Sequence, residues 1–324
     1  MGYYTQSPVL LLVFNRPDLA KKVFEKIRES RPKKLYVAAD GPRENNEEDA
    51  ELCNESKNII EQVDWECEVQ TLFRPKNMGC KIAVSSAISW FFQCEEEGIV
   101  LEDDCLPSND FFRFADLLLD KYRNDTRIGM ITGCNLQRGK TWGSGSYYFS
   151  KNTHVWGWAS WRRSWKDYDE SLSNYKEGEV HEQFFKVFGN TILAQDWTLI
   201  LKKLKAGLID TWDYQFSILN YFNNRLTAVP NENLISNIGY GPRGTHTIVP
   251  DDPNANIPLG AMSDNIIHPR FILPEPEADW AVWEKEFEIT RRRKKAFKKK
   301  LKDKFGLTLI QSLLKNKKAE YAGD

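Results

Sequence analysis

Gly98-Ile99-Val100-Leu101-Glu102-Asp103-Asp104-Cys105-Leu106-Pro107 is a short apolar run that opens into three adjacent acids and stops at a proline. A run of this kind reads as a buried strand, so the acids leave its carboxyl end, where open α/β sheets place their ligands. Three neighbouring carboxylates repel one another unless a cation or several hydrogen bonds offset the repulsion. Hard oxygen ligands favour Mg²⁺ or Mn²⁺ over Zn²⁺. The other reading is a solvated acidic turn; the apolar strand in front and the Leu106-Pro107 stop behind weigh against it.

The surrounding chain repeats the same alternation. Residues 8–14 read as a first strand ended by Asn15-Arg16-Pro17, with Asp18 placed to cap a helix running to about residue 29. Residues 35–39 are a second strand, closed by the turn Asp40-Gly41-Pro42-Arg43. An acidic helix over 46–63, a third strand over 67–73, the loop Arg74-Pro75-Lys76-Asn77-Met78-Gly79 and a helix over 81–94 lead back to the acidic strand. Strand, helix, strand repetition predicts a parallel sheet wound right-handedly. This is a nucleotide-binding type of half-domain, without the Gly-x-Gly-x-x-Gly of dinucleotide sites or a P-loop.

Further on come a helix over 111–122, a strand over 128–133, an irregular Trp-rich middle, a helix over 196–205 and a strand at 228–230. The glycine-rich loop Gly239-Tyr240-Gly241-Pro242-Arg243-Gly244-Thr245-His246 closes the main domain, residues 1–250. Residues 251–276, rich in Pro and Asn, read as an extended linker or wrap. Residues 277–324 read as a basic amphipathic helical tail.

Composition narrows the function classes. A formal charge of −1 over 324 residues argues against a general nucleic-acid-binding surface. The charge is uneven, however: Arg291 to Lys304 holds ten Lys or Arg and one acid, Asp303. That asymmetry points to a local anionic partner. Phe297, Leu301, Phe305, Leu309 and Leu313 recur near helical spacing behind it, as in a helix lying on an anionic membrane surface; a solvated charged helix or an oligomer contact is the alternative. Six cysteines without close pairs fit reduced thiols in the cytosol. The run at 9–14 is too short for a signal-peptide core or a membrane span, so a cytoplasmic protein is expected, peripheral at most to the inner face of the membrane. Eleven Trp, several between Trp142 and Trp165, suit sugar rings as well as ordinary packing.

Val100-Leu101-Glu102-Asp103-Asp104 with Asp110-Phe111-Phe112 downstream, Trp156-Gly157-Trp158, Asp196-Trp197 and Gly244-Thr245-His246 together resemble glycosyltransferases of the GT-A fold. The form is most similar to the Glu-Asp-Asp version in the β-1,2-N-acetylglucosaminyltransferases. The resemblance implies one α/β domain with a mostly parallel central sheet flanked by helices. It also implies a metal-dependent inverting transfer of a sugar, N-acetylglucosamine among the candidates, from a nucleotide-diphosphate donor, UDP-sugars favoured, to a glycan, lipid-linked or polysaccharide hydroxyl. Carried over by position, Asp104 ligates Mn²⁺ or Mg²⁺, and Glu102 and Asp103 contact sugar and ribose hydroxyls. Arg16 and Asp40 are nucleotide contacts, with a surface ion pair and a plain Asp-Gly turn as their bland alternatives. Lys81 falls at a further nucleotide contact or is a solvated helix residue, and Gly244, Thr245 and His246 belong to the loop over the diphosphate.

Trp156, Gly157, Trp158 and Trp197 are then expected at the sugar and acceptor, or else in the core. Asp196 is the expected catalytic base, against a helix-capping role. Gln195 stands where the family carries a second adjacent Asp. The family's lumenal members carry an N-terminal anchor and disulfides; neither is expected here, so a bacterial-type soluble form is the expectation. Two other classes stay open. A sugar nucleotidyltransferase shares the sheet but predicts a glycine-rich loop where Asn15-Arg16-Pro17 stands, and a degenerate carbohydrate- or membrane-binding protein is opposed by the intact acids.

Overall fold

The computed structural model describes residues 3–244, 249, 251–301 and 303. The order of elements is β1 (Val9–Val13), α1 (Pro17–Ser30), β2 (Lys34–Ala39), α2 (Glu47–Lys57), β3 (Glu68–Phe73), α3 (Gly79–Cys94), β4 (Glu97–Glu102), β5 (Cys105–Pro107) and α4 (Asn109–Tyr122). Then follow β6 (Ile128–Thr132), β7 (Tyr147–Ser150), β8 (Trp158–Trp161), α5 (Arg162–Trp165), α6 (Glu177–Phe188), α7 (Thr191–Lys205), α8 (Asp213–Phe222), β9 (Leu226–Pro230), β10 (Ile235–Asn237) and α9 (Pro276–Phe287).

Among the described residues one eight-stranded sheet runs in the order β3-β2-β1-β4-β8-β6-β9-β7. The first four strands are mutually parallel, as are β6 and β9, while β8 and β7 run antiparallel to their neighbours. This is the expected α/β class, a mostly parallel sheet flanked by helices.

Both faces are covered around β1, β2 and β4, which is why these strands are apolar through their middles rather than alternating, whereas β3, at the sheet edge, stays partly exposed. Val9, Leu11 and Val13 of β1, with Ile99 and Leu101 of β4, pack under α1 and α4 through Phe24, Ile27, Phe111 and Leu118. Leu10, Leu12 and Val100 face the opposite way, onto Ile88, Phe91 and Phe92 of α3 and Phe216 of α8.

Several local expectations shift by a few residues. Arg16 occupies the N-cap of α1 with Pro17 just inside, so Asp18 stands in the first turn rather than capping. The helix expected over 46–63 is α2 followed by a 3₁₀ turn, Asn58–Gln62, and Asn46 caps it by accepting from the Glu48 N–H. α7 begins at Thr191, well before Asp196, because Asn190 accepts from the Ile192 and Leu193 N–H groups and takes the capping role.

Two compact units divide the chain, Met1–Asp279 and Trp280–Asp324. In the first, residues 251–275 run largely without regular structure. Asp110 accepts from the Met262 N–H at 2.9 Å, Arg113 donates to the carbonyls of Met262, Ser263 and Asp264, and Pro274 bridges Phe149. In the second unit residues 289–301 are helical, Arg293 lies over the Trp280 ring at 5.5 Å, and Phe297 is exposed. Phe305, Leu309 and Leu313 lie outside the described residues.

Candidate functional site

Four parallel strands deliver their carboxyl ends to one edge of the sheet. Beyond β1 stands Arg16, beyond β2 Asp40, beyond β3 Arg74, and β4 closes with Glu102. Asp103 and Asp104 form the turn into β5, which pairs antiparallel with β10 so that Asn237 lies opposite Cys105. The Ile238 N–H donates to the Asp104 carbonyl at 2.8 Å. The glycine-rich loop therefore starts directly over the acidic turn.

Arg16 binds two of the three acids. Its Nη2 donates to Asp103 Oδ1 and its Nη1 pairs with Asp104 Oδ2 at 2.9 Å, while the Phe14 N–H donates to Asp103 Oδ2 at 3.3 Å. Burial works against the guanidinium's charge, but Asp103 and Asp104 outweigh it and hold Arg16 firmly protonated. Glu102 forms no ion pair among the described residues. Burial, then the charges of Asp104 and Asp103, push its carboxyl well above the usual range against the pull of Arg16. Asp103 is also raised, by burial first, with Arg16 and the Phe14 N–H opposing.

Two cavities meet at this turn. The larger, about 260 Å³, is lined by Arg16, Arg43 and Arg74 together with Asp40, Asn77 and Asp210. The smaller, about 150 Å³, is lined by Asp104, Trp156, Trp212, Asp213, Thr211 and Asn237. Arg16, Cys80 and Glu102 line both. The larger cavity thus offers cations beside apolar walls from Leu12, Val13 and Ala38, and the smaller offers acids beside indoles.

Asp40 and Asp49 fix the loops around the larger cavity. Asp40 accepts from the Gly41 N–H at 2.9 Å, the Met78 N–H at 3.0 Å and Asn77 Nδ2 at 3.0 Å, so most of its accepting capacity joins the β2 loop to the loop before α3. Burial nevertheless raises its carboxyl. Asp49, fully buried, receives Asn15 Nδ2 at 2.8 Å and Arg43 Nε at 2.5 Å and Nη2 at 2.8 Å. Arg43 holds its carboxyl down at about 2. Arg74 donates through Nη2 to Ser86 Oγ at 2.6 Å, and its buried Nη1 has no hydrogen-bond partner among the described residues.

The other expected site residues scatter. Trp156 lines the smaller cavity, edge-on to Tyr240 at 5.9 Å. Trp158 does not: it is fully buried in β8, stacked on Trp212 at 5.8 Å, because the strand's alternation turns it into the core. Gly157 has φ +59°, and a Cβ there would stand 2.3 Å from Ile235 Cδ1, so this glycine answers to packing rather than to a sugar ring. Trp197 is buried among Phe184, Phe188, Tyr214 and Tyr221.

Asp196, on α7, lines neither cavity. Lys81 lines neither; its N–H donates to Asp210 at 3.3 Å and its Nζ stands 3.9 Å from Glu170. Gly244 donates its N–H to the Gly241 carbonyl at 2.9 Å, and Arg243 pairs with Asp18 at 2.7 Å. Thr245 and His246 lie outside the described residues.

Arg43, Arg74 and Asp210 line the larger cavity and Asp213 the smaller, none of them among the residues expected at the site. Arg43 and Arg74 carried a readable signal, each following an expected strand as Arg16 does. Asp213 repeats the acid-beside-tryptophan pattern of Asp196-Trp197, in reverse order, within Thr211-Trp212-Asp213.

Among the described residues no three His, Cys, Asp or Glu side chains stand in metal-holding geometry. The donor chemistry still fits a hard divalent ion. Asp103 and Asp104 share one guanidinium while Glu102 lines both cavities without an ion pair among the described residues, and Mg²⁺ or Mn²⁺ bound with a phosphorylated substrate needs only one or two protein carboxylates.

No family model matches the chain, and no curated protein does. Solved structures to which it is similar include a UDP-glucose pyrophosphorylase complexed with UDP-glucose, at 13% identity over 69% of this chain and 90% of that one, TM-score 0.34. A cytidylyltransferase from Leptospira borgpetersenii matches at 12% identity over 64% of this chain and 98% of that one, TM-score 0.31. HddC from Yersinia pseudotuberculosis matches at 10% identity over 50% and 80%, TM-score 0.31. Likeness at these levels carries no argument about activity.

Proposed function

We propose that this chain is a metal-dependent inverting glycosyltransferase using a nucleotide-diphosphate sugar and a hydroxyl acceptor. The observation that carries this reading is the junction at Glu102-Asp103-Asp104 of an arginine-lined cavity with an indole-lined one. The nucleotide and diphosphate belong in the first, against Arg16, Arg43 and Arg74, and the sugar and acceptor in the second, against Trp156. Asp104, helped by Glu102, holds the metal. When bound, Mg²⁺ or Mn²⁺ supplies Lewis-acid stabilisation of the leaving diphosphate. Arg16 keeps the acids in register and supplies a fixed positive charge beside the phosphates. Gly244 lies on the loop that begins over the acidic turn, and Thr245 and His246 follow it in sequence. The basic run from Arg291 serves as an attachment to an anionic membrane surface.

Thermal-shift measurements with nucleotide diphosphates, with and without Mn²⁺, test the reading. Metal-dependent stabilisation by one nucleobase class is expected, and it is absent in Asp104→Ala; equal shifts in that variant overturn the metal assignment. A sugar nucleotidyltransferase is the second reading, favoured by three arginines around one cavity, a complement that also suits a triphosphate. Release of pyrophosphate from a nucleoside triphosphate and a sugar phosphate would select it.

A further inference from the structure

Inverting transfer requires one group to take the proton of the acceptor hydroxyl, from the side of the sugar away from the diphosphate. We propose that Asp213 is that general base, an assignment that rests on the transferase reading above. Asp213 lines the smaller cavity together with Asp104, Glu102 and Trp156, so its carboxylate shares one space with the acidic turn and an indole. It opens α8, and the residues on either side fix it. Trp212 stacks on buried Trp158, and Phe216, one turn on, is fully buried against the same ring at 5.3 Å. A base held by packed neighbours keeps its aim without ordering at each turnover.

The carboxylate is half engaged. Oδ1 accepts from the Thr211 hydroxyl, and among the described residues no hydrogen bond reaches Oδ2. Oδ2 is the atom that takes the proton. As the acceptor oxygen bonds to the anomeric carbon, its proton passes to Oδ2, and the bond from that carbon to the diphosphate breaks with its electron pair leaving on the diphosphate oxygen. The carboxyl group then returns the proton to water.

The two other acids in question are placed differently. Asp210 lines the arginine-lined cavity, on the nucleotide side, and takes the Lys81 N–H. Asp196 is carried by α7, whose main partner is α6, and lines neither cavity.

The test compares Asp213→Asn and Asp196→Asn in the full chain. The readouts are Mn²⁺-dependent hydrolysis of UDP-N-acetylglucosamine and other UDP-sugars, with water in the acceptor's place, and donor affinity by calorimetry. Asp213→Asn is expected to lower kcat by about 10²–10⁴ with donor Kd unchanged, while Asp196→Asn stays within about twofold. Thr211→Val, which frees Oδ1, is expected to lower kcat by about tenfold with donor KM unchanged, and it serves if Asp213→Asn melts early. Wild-type hydrolysis with normal turnover in Asp213→Asn, or in Thr211→Val should that be the variant used, overturns the assignment, as does a large loss confined to Asp196→Asn. No metal-dependent binding or hydrolysis in the wild type overturns the transferase reading itself.

Discussion

Gly239 shows how closely the acidic turn is built. A Cβ at this position would lie 2.2 Å from Asp104 Oδ2 and 2.8 Å from Arg16 Nη1, so any side chain must push the ion pair apart. Gly239→Ala is therefore expected to weaken metal-dependent nucleotide binding by tenfold or more, roughly 1.4 kcal/mol, while circular dichroism stays native. Titration calorimetry with Mn²⁺ and UDP checks this, and unaltered affinity would show that Arg16 and Asp104 need not meet. Gly157 is a different case: its missing side chain makes room for Ile235, and a substitution there reports on the core rather than on a sugar.

At the scale of elements, the larger cavity depends on the loops that follow β1, β2 and β3. Asp49, in the first turn of α2, collects Asn15 from the β1 loop and Arg43 from the β2 loop. Its carboxyl lies at about 2 in the folded protein against an ordinary 3.8. A depressed folded value contributes stability that is fully present above pH 3.8 and is lost as the pH falls towards 2. The contribution is at most about 2 kcal/mol. Urea titrations between pH 6 and 2 are expected to show Asp49→Asn losing less stability on acidification than the parent protein, by about that amount; parallel curves would mean that Arg43 and Asn15 contribute nothing through this group.

For the whole molecule, the two units separate by composition as well as by contacts. The first holds the sheet and both cavities, and the second carries the basic run. Deleting residues 289–324 is expected to abolish sedimentation with vesicles containing phosphatidylserine and to leave UDP-sugar hydrolysis within about twofold of the parent. Each basic residue near such a surface contributes on the order of 1 kcal/mol, weakened by salt. Equal sedimentation of both proteins would place the anionic partner elsewhere.

The α/β class, the four parallel strands and the acids at the end of β4 were legible from residue order. Continuous apolar runs and their turn residues are local properties, and a strand buried on both faces announces itself in a few residues. Arg16 and Asp40 were legible for the same reason, as residues immediately beyond strand ends. Which acid faces which cavity was not. Asp196 and Asp213 both stand beside a tryptophan on a helix, and no local pattern tells which of them reaches a cavity. Tertiary packing does: Trp197 seats α7 among Phe184 and Tyr221, whereas Trp212 stacks on Trp158 and brings Asp213 to the cavity beside Glu102. The sequence by itself determined what the sheet edge carries. Only the packing of α7 and α8 decided what faces it, because a side chain's direction follows from contacts between residues far apart in the chain.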